Sequence, residues 1–487
     1  GDIWATETFK MRQASKASIY RREVTKAAIK GMLRAVQHVE SKNHKPEPLD
    51  YSKPDVRGEL RPLMKQAERK IDWVNDPVAT IIKKINAADS APGVLDVINN
   101  EEYYLFGAHE EGVLRGWVPG AVIAQRQGAI CRAAIDGSVW ISHLRPKNIE
   151  KLPFYKSFLR QKKQHNFKLP AAYVLGGFLE ETRESVIDPL FMGAMKTYKE
   201  IWYEEKNQVG YLYFNFHNGA MSTVQCHRLV ESYRLALARP TKVLVLMGGN
   251  DFWSNGIHLN VIEASENPAN ESWRNINAID DVVLAILTTD SKLTVSAVWG
   301  GCGAGGAMAI LAADKVWARE GVIFNPHYKT MGLYGSEYWT YSLPKRVGRV
   351  KALELTENPL PIGTKKAKAI GYLDEILSDD YEEFLVQVRL KAEDLAKEPQ
   401  YKQLLEEKCA IRKKDEGIKP LAAYRAAELQ KMKINFSGKF YGGEVNYHEA
   451  RYNFVHKVRP KETAAYLAKH MRVDADKMSE LRQPLAY

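Results

Sequence analysis

Two glycine-rich segments, each following a predicted buried strand, constrain the fold of this chain more than any other feature. The predicted strand 241–247 runs into Gly-Gly-Asn-Asp-Phe-Trp-Ser-Asn-Gly-Ile-His-Leu at 248–259, and the predicted strand 294–298 runs into Gly-Gly-Cys-Gly-Ala-Gly-Gly at 300–306. Glycine between a strand and a helix leaves backbone N–H groups exposed at the positive end of the helix dipole. One such loop is explained equally well by close strand–helix packing. Two in order predict a pair of N–H donors aimed at one carbonyl oxygen, which is an oxyanion hole.

The segments around these loops alternate between strand and helix patterns. We expect strands at 209–216, 242–247 and 293–298, with helices at 222–238 and 278–289 between them and a largely helical chain after Lys345. This alternation is typical of an α/β layered fold.

The first half of the chain has a different pattern. We expect a strand at 3–11, a helix at 15–39, a loop at 41–55 and a second helical segment at 65–89. Between 101 and 144, short β-rich stretches are separated by turns at 119–120, 127–128 and 136–137, which predicts a small barrel or sandwich. The basic segment 147–168 is interpreted as a linker or surface helix.

Composition limits the classes of protein that fit. A chain of 487 residues predicts two or three domains, and 45% hydrophobic with 26% charged residues is typical of a globular protein. No apolar run is long enough to cross a membrane, and the four cysteines are far apart without metal-ligand spacing, which favours a reducing cytoplasm and no metal. The net charge of +11 fits a polyanionic cofactor, and without a recognition motif it does not favour nucleic acid.

The two loops, with Ala-Val-Trp-Gly at 297–300 and Asp-Lys-Val-Trp-Ala at 314–318, resemble the enoyl-CoA hydratase/isomerase (crotonase) superfamily. This resemblance implies a ClpP/enoyl-CoA hydratase-like β-β-α superhelix over residues 198–487 that binds a coenzyme A thioester. It implies that the oxyanion donors are the backbone N–H groups of Ile257 and Gly305. Further thioester contacts are expected from Asn255, Gly256, His258, Gly306 and Ser336.

The chain departs from the crotonase pattern at both catalytic glutamates. Their positions hold Met308 and Tyr328, so ordinary hydration is not expected. Instead, Tyr328 could donate a hydrogen bond near the thioester, and Glu337, in the first turn of a predicted helix, could act as an acid or base if burial raises its pKa. The alternative is that Tyr328 packs in the core and Glu337 merely favours a helix N-terminus. For His258 and His327, a structural role and a supporting role near the thioester both stay open.

Coenzyme A carries several negative charges, so basic side chains are expected around its site. Many crotonases use an aromatic residue and a lysine near the C-terminus. By that resemblance we expect Arg346, Phe454 and Lys457 to contact the nucleotide end.

The N-terminal half resembles another family. Gly-Asp-Ile-Trp-Ala at 1–5, Ile-Asp-Trp at 71–73 and Ala-Pro-Gly at 91–93 are similar to formyltransferases that use 10-formyltetrahydrofolate. The resemblance implies a catalytic-domain remnant with linker helices at 1–95, a small C-terminal β-barrel domain at 96–150 and a basic linker at 151–197. That family's catalytic Asn, His and Asp would lie before Gly1. The sequence begins without Met, so we expect it to start inside a longer reading frame. Formyl transfer from folate is expected only of a full-length protein.

The fusion of these two halves, with Tyr-Gly-Ser-Glu-Tyr-Trp at 334–339, resembles the HoxX hydrogenase maturation factors. That resemblance implies a cytoplasmic lyase that decarbonylates formyl-CoA to carbon monoxide and coenzyme A, the carbon monoxide becoming a ligand of a nickel–iron centre. Hydrogenase maturation proteins are the implied partners. Two alternatives stay open: an acyl-CoA decarboxylase of the crotonase fold, and a non-catalytic coenzyme A-binding scaffold.

Overall fold

The N-terminal helix forms as predicted, while the strand expected before it does not. A computed structural model describes residues 2–41, 44–54, 56, 61–147, 165–191, 195–438 and 445–458. The prediction of a strand at 3–11 is wrong: Ile3 makes an isolated bridge with Glu47, and Glu7 forms ion pairs with Lys30 and Arg34. Because Glu7 binds the helix in this way, segment 3–11 lies along the helix and joins no sheet of the described residues. That helix is continuous through Lys16–Ile19, a π-helical turn Tyr20–Val24, and Thr25–Glu40.

The chain divides into two units, Gly1–Val186 with Ala194–Tyr198 and Ile187–Gly193 with Lys199–Tyr487. In the first, the predicted helical segment 65–89 is split into Gln66–Arg69 and Val78–Ala88. Pro77 precedes the second helix, where its fixed φ and missing N–H are tolerated.

The β-rich region predicted at 101–144 is a six-stranded antiparallel sheet. Alternate side chains along its strands, such as Leu105 and Ile141, pack in one core together with Ile85 from helix Val78–Ala88. Turns at Asn99-Asn100 and Gln127-Gly128 place residues with positive φ between paired strands, as tight hairpins require. The strands, in spatial order, are Val94–Ile98, Glu101–Glu111, Ser138–Pro146, Ala129–Ala133 and Val122–Arg126, with Leu169–Pro170 also pairing to Ser138–Pro146. Helix Ala171–Leu175 and the 3-10 turn Gly176–Leu179 follow. Residues 148–164 of the predicted linker lie outside the described residues.

The second unit confirms the predicted β-β-α superhelix. Three successive turns each contribute one strand to a six-stranded sheet and the next strand to a four-stranded sheet. The first sheet runs Glu375–Leu377, Lys315–Arg319, Leu293–Val298, Val243–Gly248, Val209–Phe214 and Ile201–Lys206, with only the last pair antiparallel. The second sheet runs Phe252–Ser254, Gly301–Gly303, Ile323–Asn325 and Ile362–Gly363.

Helices cover both sides of this superhelix. Strands such as Val243–Gly248 are buried along their whole length, which explains their continuous apolar sequence. The largest core of the unit lies between the sheets and the helices and reaches Tyr328, Met308 and Tyr338. The helices are Thr223–Leu237, Leu259–Ala264, Pro268–Leu287, Gly305–Ala309, Trp339–Val347, Arg349–Glu357, Thr364–Ala369, Tyr381–Lys397, Tyr401–Ile418, Leu421–Phe436 and Tyr447–Val455, with 3-10 turns His217–Gly219, Ile310–Ala312 and Lys329–Met331. Over the part of the chain that the structure describes, none of the helices is both long and apolar enough to cross a membrane.

Candidate active site

Each of the two glycine-rich segments contains a short strand that the sequence did not predict. Phe252–Ser254 and Gly301–Gly303 pair in parallel within the four-stranded sheet, so neither segment is a simple loop between one strand and one helix. The predicted N–H donors follow these short strands. The pairing of two neighbouring parallel strands therefore brings the ends of both segments to one edge of the sheet.

The structure places the two predicted oxyanion donors side by side. Gly256, which precedes Ile257, has φ +77°, and a β-carbon on it would lie 3.2 Å from the backbone nitrogen of Gly305. This close approach explains why glycine occupies position 256. Among the described residues, neither the Ile257 nor the Gly305 amide has a hydrogen-bond acceptor. Both N–H groups are thus available to an acceptor outside the protein.

Glu337 lies directly against Gly305, one of these two donors. A β-carbon on Gly305 would lie only 2.0 Å from Glu337 Oε1. Tyr328 Oη donates to Glu337 Oε2 at 2.8 Å, and the Ser336 amide donates to the same oxygen at 3.0 Å. Gly335, with φ +92°, lets the backbone approach Tyr328: a β-carbon there would lie 2.3 Å from the ring. The two residues predicted as catalytic are therefore in contact, with one carboxylate oxygen facing Gly305.

The prediction that Glu337 lies in the first turn of a helix is wrong. The helix begins at Trp339, and Glu337 and Tyr338 precede it with φ of +60° and +56°. A regular helix would direct Glu337 along the helix surface. The left-handed backbone instead turns its side chain into the protein, where it is 1% exposed.

Two further buried carboxylates, which the sequence analysis did not identify, surround Glu337. Asp280 Oδ1 accepts the Glu337 amide at 2.8 Å, and Glu428 Oε2 accepts the Tyr338 amide at 3.0 Å. Both side chains are fully buried. Each interrupts an apolar helix face: Asp280 lies four residues after Ile276 and three before Val283, and Glu428 lies four before Met432. That interruption is the sequence signal that could have found them.

Burial and mutual repulsion raise the pKa values of these groups. Desolvation and then the charge of Asp280 raise the pKa of Glu337 to about 8. Desolvation raises the pKa of Asp280 to about 7 and that of Glu428 to about 8. Burial and the neighbouring Glu337 raise the pKa of Tyr328 well above its ordinary value, so its phenol is neutral and donates. Perturbed carboxyl groups beside two free amides are typical of a catalytic site.

The histidines have structural partners. His258 Nδ1 accepts the Val261 amide at 3.3 Å as a helix N-cap, and burial lowers its pKa to about 4, so the ring is neutral. His327 bonds the Thr356 carbonyl through Nδ1 at 2.9 Å and the Thr330 amide through Nε2 at 3.1 Å. Both ring nitrogens of His327 are thus occupied within the protein.

Of the other predicted thioester contacts, three have protein partners. Asn255 donates from Nδ2 to the Asn218 carbonyl at 2.7 Å. A β-carbon on Gly306 would lie 2.0 Å from the Ser254 carbonyl oxygen, so Gly306 is required for packing. Ser336 is fully buried, with its hydroxyl directed at Asp280 and Glu428. The structure therefore gives Ser336 a role in the carboxylate cluster and not at an open surface.

The three residues predicted to contact the nucleotide end of coenzyme A lie on different elements of the second unit. Arg346 pairs with Asp374 at 2.7 Å and donates to two backbone carbonyls, so its guanidinium is held by the protein. Phe454 lies on helix Tyr447–Val455, which packs on the 3-10 turn that follows Tyr328, and 64% of its surface is exposed. Lys457 follows that helix and is exposed.

Comparisons with known proteins agree with this architecture. Residues 207–460 match the family model "Enoyl-CoA hydratase/isomerase", and residues 63–162 match "Formyl transferase, C-terminal domain". Hydrogenase maturation factor HoxX of Bradyrhizobium diazoefficiens is 44% identical over 476 residues, which cover 96% of this chain and 78% of that protein. This chain belongs to the HoxX family of hydrogenase maturation factors.

Two other relatives of this HoxX family member bear on its chemistry. The crystal structure of HypX from Aquifex aeolicus in complex with tetrahydrofolic acid has a TM-score of 0.88 and 44% identity, covering 97% of this chain and 80% of that one. Ethylmalonyl-CoA decarboxylase of Mus musculus is 28% identical over 205 residues, or 41% of this chain and 61% of that enzyme. In the described parts of the present chain, no group of three or more His, Cys, Asp or Glu residues has the arrangement of a metal site.

Proposed function

We propose that the crotonase-like unit decarbonylates formyl-CoA to carbon monoxide and coenzyme A during hydrogenase maturation. The observation that carries this proposal is the contact between the Glu337 carboxyl group and Gly305, beside the free amides of Gly305 and Ile257. One acid–base group and two amide donors thus converge where a thioester carbonyl would bind. A single acid–base group suits the loss of one proton and one thiolate, whereas hydration needs two carboxylates to manage water.

The proposed reaction breaks two bonds of the formyl group. The Ile257 and Gly305 amides polarise the formyl oxygen. The carbon–sulfur bonding pair leaves with sulfur, the carbon–hydrogen bonding pair stays on carbon as the lone pair of carbon monoxide, and the proton reaches the thiolate through Glu337. Tyr328, 2.8 Å from Glu337, holds the carboxyl group in place as a neutral donor. A carboxyl pKa of about 8 lies close to neutral pH, where a group can both accept and release a proton.

The position of coenzyme A itself is part of the proposal. The exposed Phe454 and Lys457, at the end of a helix that packs beside the Tyr328 segment, would receive the nucleotide end. An exposed aromatic ring and an unburied ammonium group suit adenine stacking and phosphate binding. Asn255 and Gly256 would line the thioester end, with their own amides held by the Gly219 carbonyl and the Ser254 hydroxyl. Formyl-tetrahydrofolate is the proposed upstream donor in full-length relatives, in accord with the tetrahydrofolic acid in the HypX crystal.

The test is carbon monoxide release from formyl-CoA, measured by haemoglobin absorbance. We expect Glu337→Gln to lower the rate by about 10²–10⁴-fold, because it removes the acid–base group and keeps the side-chain shape. Tyr328→Phe should lower it by roughly 10–100-fold through loss of one buried hydrogen bond.

Matched controls are exposed residues of the same types. Glu382→Gln and Tyr20→Phe should release carbon monoxide at the wild-type rate, since both side chains are exposed. Wild-type release no faster than the spontaneous rate, with coenzyme A still bound, would reject decarbonylation and leave a decarboxylase or a binding scaffold.

A second candidate function is decarboxylation of a malonyl-type thioester. The similarity to ethylmalonyl-CoA decarboxylase favours it, and an oxyanion hole would stabilise the enolate that forms. Here Glu337 would only protonate the product carbon. Carbon dioxide from ethylmalonyl-CoA, with no carbon monoxide from formyl-CoA, would select this function.

A further inference from the structure

The backbone at Glu337 and Tyr338 adopts a conformation that L residues seldom occupy. Both residues are in the left-handed region, one after the other, and neither is glycine. Left-handed conformations of such residues persist only where surrounding contacts impose them, and they cluster at functional sites.

The contacts that impose this conformation come from two acidic side chains on separate helices. Asp280 on helix Pro268–Leu287 accepts the Glu337 amide at 2.8 Å. Glu428 on helix Leu421–Phe436 accepts the Tyr338 amide at 3.0 Å. A carboxylate accepts such hydrogen bonds more strongly than a neutral amide does. The two helices therefore clamp the segment through charge-assisted hydrogen bonds.

The hydroxyl group of Ser336 joins the two carboxyl groups. Its Oγ lies 3.0 and 2.9 Å from the two oxygens of Asp280 and 3.3 Å from Glu428 Oε2. A hydroxyl has one proton to donate. It can therefore satisfy only one carboxylate, and the other contact is favourable only when the second acid carries a proton. Asp280 and Glu428 behave as one coupled pair.

The cluster has an excess of negative charge. Among the described residues, Arg425 is the cation in contact with the cluster, 3.7 Å from Asp280 Oδ2, but the same guanidinium donates to Asp281 at 2.6 Å. Among the described residues, the titratable groups that interact with Glu337 are Cys226, Asp280, Tyr328 and Glu428. Asp281, Arg425 and Tyr338 interact with Asp280. Three buried carboxyl groups with one shared cation hold protons that isolated carboxyl groups would release.

The hydrogen bonds indicate which oxygen carries the proton. Glu428 accepts the amides of Tyr338 and Thr340 together with the Thr340 hydroxyl. Asp280 accepts the Glu337 amide and faces Arg425. Glu337 accepts two bonds, both on Oε2, and its Oε1 faces Gly305. Hydrogen bonds to a carboxylate favour its ionised form. Glu337 Oε1, which accepts no hydrogen bond among the described residues, is therefore the oxygen at the edge of the oxyanion site that can carry one of these protons.

We infer that Asp280 and Glu428 are positioning residues that hold the Glu337 carboxyl group in its strained position and keep a proton on Oε1 at neutral pH. This inference rests on the proposed role of Glu337 and deepens it, since the resting group would meet the thioester as an acid. In this role neither side chain has to contact the substrate. They act through the charge and the backbone geometry that they impose on Glu337.

The direct test is an infrared pH titration of the protein without substrate. The carbonyl stretch of a protonated buried carboxyl group is assigned to Glu337 by its loss in Glu337→Gln. We expect Asp280→Asn to move the midpoint of this band to lower pH by about one unit, because it removes one neighbouring negative charge and keeps the shape. Glu428→Gln should move it in the same direction, and it also serves if Asp280→Asn does not fold. Asp281→Asn is the matched control: its side chain is 47% exposed, and we expect a shift below about half a unit.

The second readout is the pH profile of carbon monoxide release. The part of the rate profile that follows the titration of Glu337 should move to lower pH in Asp280→Asn and Glu428→Gln, because both changes lower the titration midpoint of Glu337. This direction is the same whether the reaction needs the protonated or the ionised form of Glu337. An unchanged midpoint with a uniformly lower rate would overturn the inference and assign both residues to structure alone. The infrared result does not depend on turnover, so absence of carbon monoxide would reject the proposed function while leaving this inference testable.

Discussion

Both units bury charged side chains, but they treat them in opposite ways. In the first unit, Arg132 is paired with Asp96, which also accepts the Trp73 indole N–H at 2.9 Å, and the guanidinium lies 4.0 Å from the Trp73 ring centre. In the second unit, the carboxyl groups of Asp280 and Glu428 contact the Ser336 hydroxyl, and that of Glu337 accepts the Ser336 amide. The Arg425 guanidinium is shared between Asp280 and Asp281. The first unit thus pairs a buried cation with a buried anion, whereas the second unit brings several acidic side chains together around one cation.

The pKa values follow from this difference. Burial alone would raise the pKa of Glu111 in the first unit, but hydrogen bonds from Thr197, Trp140 and two backbone amides outweigh it and lower the pKa. In the second unit burial and like charges act together and raise the pKa of Glu337 to about 8. Compensated burial is typical of a structural network, whereas uncompensated burial next to two free amides is typical of a catalytic site.

The largest effect on stability is expected from breaking the balanced pair. Asp96→Ala leaves Arg132 buried without an anion, so we expect the first unit to lose about 3–5 kcal/mol of unfolding free energy. Hydrogen exchange in strands Val94–Ile98 and Ala129–Ala133 measures that loss locally. The double variant Asp96→Ala/Arg132→Met should recover most of it. A single-variant loss below about 1 kcal/mol would show that the pair is not what balances this core.

The stability of the two units should change with pH in opposite directions. Folding raises the pKa of Glu428 from 4.5 to about 8. The contribution of Glu428 to the unfolding free energy is therefore fully present below pH 4.5 and is lost as pH rises towards 8. Folding lowers the pKa of Glu111. The contribution of Glu111 to the unfolding free energy is therefore present when the pH is above the ordinary pKa of a glutamate and is lost as the pH falls through the pKa of the folded state. We expect hydrogen exchange to show the second unit weakening by a few kcal/mol between these limits while strand Glu101–Glu111 does not. Glu428→Gln should flatten the slope in the second unit. Equal slopes in both units would contradict the comparison.

The smallest effect is expected where charge is paired at the surface. Lys147 donates to both oxygens of Glu102 at 2.9 Å, with side chains 35% and 40% exposed. Glu102→Gln should change unfolding free energy by less than about 1 kcal/mol, because solvent screens the pair. Thermal unfolding measures this change. A loss as large as that of Asp96→Ala would mean that burial is not what separates the two kinds of pair.

The main elements of the second unit could be predicted from local pattern, and the proposed catalytic pair, Tyr328 and Glu337, from the resemblance to the crotonase family. Continuous apolar runs predicted the strands Val243–Gly248 and Leu293–Val298 within a residue or two. The strand predicted at 3–11 failed because alternation alone does not supply a neighbouring strand. The strands Phe252–Ser254 and Gly301–Gly303 were missed because short glycine-rich strands have no apolar periodicity and exist only through pairing with each other.

The resemblance to crotonases placed Met308 and Tyr328 at the positions of that family's two glutamates. What the sequence by itself determined is the order of strands and helices and the two glycine-rich segments. Those features depend on residue type and spacing, which local patterns record. Only the tertiary structure decided that Asp280, Ser336 and Glu428 meet around Glu337, because they lie on separate elements up to 148 residues apart in the sequence. Only the tertiary structure raises the pKa of Glu337 as well, since a pKa depends on which charges and hydrogen bonds folding brings within a few ångströms.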